Sequence, residues 1–93
     1  MSVLEILRSE YPGHEAWEKF CLAVSGVHFP DMLEVTVDRD IFAVATRKIG
    51  SADKACEWLQ KEIPALDGKT VNQVFEFEHN GREIVRSLLM RLP

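Results

Sequence analysis

Apolar residues recur in this chain at helical spacing, in short runs that each end near a glycine or a proline. Residues three or four positions apart lie on one face of a helix, so each run predicts a short amphipathic helix. Proline cannot continue a helix and glycine favours the turn that follows one, which limits the length of each element. We therefore expect an all-α, compact bundle of about six short helices in a single domain. The predicted ends are at Pro12, Gly26, Gly50, Pro64, about Phe77 and the C-terminal segment.

Polar residues that can cap a helix precede most of these runs. A Ser or Thr followed three residues later by Glu or Gln is a capping box, and it predicts where a helix begins. The predicted caps are Ser2 with Glu5, Asp38, Ser51, Thr70 with Gln73, and Asn80. Residues 27–37 read less clearly, since 33–37 alternate like a strand that has no partner strand, and we expect a helical or irregular connector there.

A chain of 93 residues with 46% hydrophobic residues can bury one core. Its longest apolar runs are only a few residues, whereas a membrane span needs about 20. The N-terminus lacks the layout of a secretory signal, so we expect a cytoplasmic protein. We predict that Leu59, Val85, Leu88 and Leu89 are buried. So high an apolar fraction also predicts a homodimer, with Leu4, Leu7, Trp17 and Phe20 as the contributing residues.

The negative charge is concentrated at the N-terminal end. Residues 1–37 carry six acidic and two basic side chains, whereas residues 38–93 carry nine of each, so the first segment holds the whole net charge of −4. Nucleic-acid affinity comes largely from Lys and Arg at phosphates, and between Tyr11 and Val37 the only formal cation is Lys19. DNA binding is therefore disfavoured, although it stays as an alternative.

Residues that could carry catalysis or bind a metal are sparse. Cys21 and Cys56 lie thirty-five positions apart, outside any metal-ligand spacing, and each falls in an apolar stripe, so we expect buried, reduced thiols. The three histidines fall in or near predicted connections, and Glu76 and Glu78 are expected to be solvated. We find no phosphate loop, metalloprotease or nucleophile motif. We expect no enzyme, no cofactor and no metal.

Three blocks in the second half of the sequence carry a family pattern. They are Ala55-x-x-Trp58-Leu59, Ala65-Leu66-x-Gly68-x-Thr70 and Gly81-x-x-x-Val85-x-x-x-Leu89-x-Arg91-Leu92. In order and spacing they resemble the C-terminal toxin-binding domain of the bacterial MbcA/ParS/Xre antitoxins. The resemblance covers residues 38–93 and departs at Val71, where the family commonly has proline.

This resemblance implies that residues 38–93 bind and neutralise a cognate toxin by covering its active site. The toxin of such systems is often a RES-domain protein that consumes NAD. Family members often carry a DNA-binding helix-turn-helix ahead of this domain, and residues 1–37 would then be a degenerate version of it or a dimerisation segment. The alternative function is a DNA-binding autoregulator of its own operon.

The C-terminal helix supplies the predicted contact residues. Its apolar stripe is expected to face the core, which would leave three arginines free for a partner. Arginine is common at interfaces because its planar guanidinium binds carboxylates with two hydrogen bonds. The predicted partner-facing residues are Asp67, Lys69, Arg82, Arg86 and Arg91.

Overall fold

The fold is taken from a computed structural model that describes residues 3–25 and 37–92. Residues 27–36 of the connector expected at 27–37, the cap at Ser2 and the stop at Gly26 lie outside the described residues. Within them the chain forms six α-helices, one 3-10 turn and two very short strands, so the predicted all-α class is confirmed. The elements are α1 (Val3–Ser9), α2 (His14–Ser25), α3 (Arg39–Ile49), α4 (Ala52–Leu59), β1 (Glu62–Ile63), the 3-10 turn (Pro64–Leu66), β2 (Lys69–Thr70), α5 (Val71–Phe77) and α6 (Gly81–Arg91).

Helix α4 is shorter than the apolar spacing predicts. It ends at Leu59, and Ile63 is extended, with φ −118° and ψ 122°. The residue before a proline is disfavoured in the helical region of backbone conformation. Pro64 therefore makes Ile63 extended, and the helix ends before it reaches the proline. The extended residues pair antiparallel with β2 in a two-stranded ladder, in which Ile63 lies opposite Lys69.

Two of the predicted caps are formed by side chains. The Ser51 hydroxyl accepts the backbone N–H of Lys54 at 3.2 Å. Thr70 and Gln73 make both hydrogen bonds of a capping box, at 3.1 and 2.9 Å. These contacts satisfy N–H groups that have no partner inside a helix.

Two other predicted caps occupy the N-cap position, but their side chains make no capping hydrogen bond. Asp38 precedes α3, but its carboxylate makes no hydrogen bond to that helix and pairs with Arg82 instead. Asn80 precedes α6 with a left-handed backbone, φ 55° and ψ 36°, and its side chain does not cap either. The first N–H groups of α6 therefore gain no side-chain oxygen from the N-cap.

One hydrophobic core joins the N-terminal helices to the rest of the chain. Leu59, Val85, Leu88 and Leu89 are buried, as predicted. Leu4, Leu7 and Trp17 are also in the core, at 5%, 3% and 0% exposure. Their assignment to a dimer surface is wrong, because packing against α6 and α3 already covers them. Phe20 is partly buried, with its ring 5.7 Å from that of Trp17.

Helix α6 starts where its backbone passes very close to α5. A Cβ atom on Gly81 would lie 2.0 Å from the carbonyl oxygen of Val74 and 2.7 Å from that of Phe75. Neither obstacle is a flexible side chain, so relief requires the two helices to separate. The predicted role of Gly81, a close approach to a neighbouring helix, is confirmed.

Replacing Gly81 should therefore destabilise the fold. We expect Gly81→Ala to lower the free energy of unfolding by at least about 1–3 kcal/mol, the usual cost of overpacking. Urea denaturation followed by circular dichroism measures this. Asn80→Gly is the control, because glycine accepts the left-handed backbone of that position and should leave stability nearly unchanged. Equal stability of Gly81→Ala and the parent chain would contradict the close approach.

Neither cysteine is in a disulfide, and both are partly rather than fully buried. Burial raises the pKa of the Cys21 thiol from 9.0 to about 11, and the nearby Asp40 carboxylate adds to the shift. The expectation of fully buried thiols is too strong, although both side chains pack against the core.

The raised pKa predicts that the Cys21 thiol reacts slowly with alkylating reagents. At pH 8 a pKa of about 11 leaves about a hundredfold less thiolate than a pKa of 9, and the greater nucleophilicity of each thiolate recovers about tenfold. In a Cys56→Ser variant, iodoacetamide should therefore modify Cys21 about tenfold more slowly when the chain is folded than in guanidinium. Equal rates in the two states would count against the burial of this thiol.

None of the helices in the described ranges has the length and apolar character that a membrane crossing requires.

Candidate functional site

A buried arginine lies at the middle of α6. The Arg86 side chain is only 10% exposed, and its Nη2 atom lies 3.3 Å from the Asp40 carboxylate. Its Nη1 atom donates to the Tyr11 hydroxyl at 3.2 Å. The guanidinium carbon lies 5.2 Å from the centre of the Trp17 ring, within the range of a cation–π interaction. We call these four side chains the Arg86 cluster.

Asp40 completes the hydrogen bonds of the Arg86 cluster. One of its oxygens accepts the Trp17 indole N–H at 2.8 Å, and the other accepts the backbone N–H of Ile41 at 2.8 Å. The carboxylate also lies in the first turn of α3, where the helix dipole favours a negative charge. The Arg86 cluster therefore links α2, α3, α6 and the α1–α2 connection.

Arg86 is consequently not a partner-facing residue, and that prediction is wrong. The prediction assumed that α6 has one buried face and one solvated face. In the structure α6 packs against α1, α2, α3 and α5, and every residue from Ile84 to Leu89 is buried. A helix surrounded in this way has no free face at its middle, so Arg86 is held by other side chains.

The other four predicted site residues are accessible to solvent. The charged groups of Lys69, Arg82 and Arg91, however, each pair with a carboxylate. Arg82 is 56% exposed, forms an ion pair with Asp38 and lies 5.6 Å from the centre of the Phe75 ring. The hydrogen bond and charge of Asp38 raise the pKa of Arg82. Arg91 is 44% exposed and pairs with Glu10. The prediction that Arg82 and Arg91 are free is therefore wrong, although both side chains are exposed to solvent.

The remaining two predicted residues lie in the turn between the short strands. Asp67 is exposed and has a left-handed backbone, φ 62°. Lys69 is 43% exposed and donates to Glu78, and this hydrogen bond lowers the pKa of Glu78. Because Arg82 and Arg91 lie at opposite ends of α6, the five predicted residues do not form one cluster.

The acidic partners of the arginines were not predicted from the sequence. Asp38 and Asp40 precede Arg82 and Arg86 by more than forty positions, and contacts of that separation have no local signature. A weak signal exists, since arginines four residues apart share a helix face and two aspartates stand at the start of one helix. The structure brings Arg82 and Arg86 together at Asp38, whose carboxylate is 3.9 Å from Nη2 of Arg86.

An open groove of about 690 Å³ lies beside the Arg86 cluster. It runs between the α1–α2 connection and the first turn of α6, with Tyr11, His14 and Arg86 among its walls. In residues 3–25 and 37–92, no group of three or more His, Cys, Asp or Glu side chains could hold a metal ion.

Comparison with known proteins gives no relative, since no family model, curated protein or solved structure matches the chain.

The burial of the Arg86 cluster predicts a large loss of stability when Arg86 is replaced. Arg86→Met keeps the length of the side chain but leaves Asp40 without its cationic partner. Removing one partner of a buried ion pair costs roughly 3–5 kcal/mol. We expect about 2–3 kcal/mol here, because the Asp40 side chain retains 27% exposure.

Arg82→Met is the matched control on the same helix, since exposed ion pairs contribute about 1 kcal/mol or less. Chemical denaturation of both variants measures the difference. A loss for Arg86→Met no larger than that for Arg82→Met would contradict the structural role of Arg86.

Proposed function

We propose that the chain is an antitoxin-like module that binds a toxin protein and neutralises it by covering its active site. The observation that carries this proposal is where the residues of the family pattern lie. All three blocks fall within one packed unit of α4, the strand pair and α6, rather than scattered over the surface. The proposal thus rests on a resemblance whose elements are also physically coupled.

Each block of the pattern supplies part of the C-terminal core. Ala55 and Leu59 are 0% and 2% exposed, and they anchor α4 in the core. Leu66 of the second block is fully buried. The third block supplies Gly81, with its close approach to α5, and then Leu89, which is fully buried. These positions build a scaffold, so binding to a partner must use exposed residues on the same elements.

Four of the predicted contact residues remain suited to that role. Asp67, Lys69, Arg82 and Arg91 keep solvent-exposed atoms at the turn and at both ends of α6. An acidic group on the toxin would compete with Asp38 or Glu10 for an arginine that is already extended and oriented. Such an exchange of carboxylates costs little, because exposed ion pairs contribute only about 0–1 kcal/mol.

The acidic surface of α2 makes DNA binding the weaker proposal. Glu15 and Glu18 are exposed on this helix, and Lys19 is its only Lys or Arg and pairs with Glu15 at 3.7 Å. A helix that enters the major groove meets phosphates on both sides, so carboxylates on its surface oppose binding.

The test is rescue from a toxin. A RES-domain toxin encoded beside this chain would be expressed with and without it in a bacterial host, and growth and cellular NAD would be measured. We expect the chain to restore both. Arg82→Glu and Arg91→Glu should each reduce the rescue, because they place a negative charge where the toxin supplies one.

Arg47→Glu is the matched control, since it makes the same change of charge on the exposed surface of α3. Melting temperatures of the purified variants separate loss of binding from loss of fold. Full rescue by a folded double variant, Arg82→Glu with Arg91→Glu, would refute the assignment of α6 as the interface. Failure of the unaltered chain to protect cells would refute the function.

A further inference from the structure

We infer that the groove beside the Arg86 cluster binds a small molecule that carries a phosphate group. This site shares Arg82 with the proposed toxin interface, but the inference does not depend on the toxin-binding function. The groove takes its walls from the α1–α2 connection, α5 and the start of α6. Its volume of about 690 Å³ falls within the range of about 300–1,000 Å³ that is typical of small-molecule sites.

Two helices begin at this groove. His14 is the first residue of α2 and Gly81 is the first residue of α6, and both line it. The start of a helix carries a partial positive charge and N–H groups without partners, which is the arrangement that proteins use to bind phosphate. At α6 the side chain of Asn80 does not cap the helix, but the Gly81 N–H donates to the Glu78 carbonyl oxygen at 3.0 Å, so this potential comes from the N–H groups that follow Gly81.

Three arginines also line the groove, and each keeps donors unused. Arg8 donates from Nε to the carbonyl oxygen of His79 at 2.9 Å, and neither of its terminal nitrogens has a partner in the described part of the chain. Arg82 uses Nε and Nη2 on Asp38, which leaves Nη1. Several guanidinium N–H groups are therefore available around one opening.

Arg86 has a buried N–H donor, at Nε, that lacks a hydrogen-bond acceptor among the described residues. Its side chain is nine-tenths buried, and its Nε atom is shielded from solvent without a hydrogen-bond partner among the described residues. Nearly all buried donors in proteins are paired with protein, water or ligand. Because Nε is shielded from solvent in this structure, an oxygen of a bound molecule would reach it only when the walls of the groove move apart on binding.

The charge of the groove differs from that of the whole chain. The chain has a net charge of −4, whereas the Arg, Lys, Asp and Glu residues that line the groove in the described part of the chain are three arginines and Glu83. Asp38 and Asp40 orient Arg82 and Arg86 and offset part of their charge, and Glu78 lies close enough to Arg8 that the arginine contributes to lowering the pKa of that carboxyl.

The groove also has apolar walls. The rings of Tyr11 and Phe75 line it beside the charged groups. Aromatic surface of this kind suits the organic part of a ligand, and the volume exceeds what one inorganic ion fills. The combination favours an organic phosphate over free phosphate.

Binding can be tested on the purified chain by two-dimensional NMR, with probes added at constant ionic strength in a buffer without phosphate. Phenyl phosphate combines the two features of the groove, inorganic phosphate has only the charge, and phenol has only the ring. We expect phenyl phosphate to shift the amides of His14, Gly81 and Arg82. Inorganic phosphate should shift the same amides at higher concentration, and phenol should shift none.

Variants of the lining residues sharpen this test. Arg8→Gln should weaken the binding of phenyl phosphate at least tenfold. Glu83→Gln, which removes the one carboxylate among the described lining residues, should strengthen it. Arg47→Gln, on the exposed surface of α3, is the control and should bind as the parent chain does.

Three outcomes would overturn the inference. They are the absence of shifts with either phosphate probe, equal binding by the Arg8→Gln variant, and a short DNA duplex that binds more tightly than phenyl phosphate through amides well outside the groove. Because no toxin takes part, failure here leaves the antitoxin proposal untouched, and failure of rescue leaves this site untouched.

Discussion

The ion pair between Arg86 and Asp40, packed against the Trp17 ring, is the contact that the rest of the structure depends on. It joins the middle of α6 to the first turn of α3, and through Trp17 it also holds α2. Hydrophobic contact alone would let the short helices pack in several ways, because apolar packing has little directional preference. An unpaired buried charge is costly, so this pair favours the arrangement in which the N-terminal helices lie against α6.

The surroundings of α6 decide where function can reside. Its middle is buried on all sides, and Gly81 fixes its start against the backbone of α5. Apart from the Arg86 side chain, which lines the groove, chemistry open to a partner or ligand is therefore restricted to its two ends. The proposed toxin interface uses Arg82, Arg91 and the turn at Asp67, while the groove uses the first turn of α6 together with Arg8. The two proposals share Arg82, so an occupied groove would influence the nearby part of the interface.

Local features of the sequence predicted most of the fold, and contacts distant in sequence were out of reach. The helical spacing, the caps at Ser51 and Thr70 and the close approach at Gly81 each depend on residues within a few positions or on one residue type. The end of α4 was misplaced because the effect of Pro64 on Ile63 outweighs apolar periodicity. Arg86 was misassigned because its burial depends on Asp40 and Tyr11, which come from elsewhere in the chain, and on four helices around α6. A helix wheel cannot anticipate either condition.

The central claim is that residues 3–25 and 37–92 form one cooperative unit through the Arg86 cluster. Native-state hydrogen exchange tests it most directly, with the indole N–H of Trp17 and the backbone amides of α1, α2 and α6 followed in one experiment. The account predicts that the Trp17 indole and the slowest amides of all three helices exchange with nearly the same free energy, that of global unfolding. Exchange of the Trp17 indole and of α2 at a much lower free energy than α6 would contradict it, because the N-terminal helices would then open independently of the core.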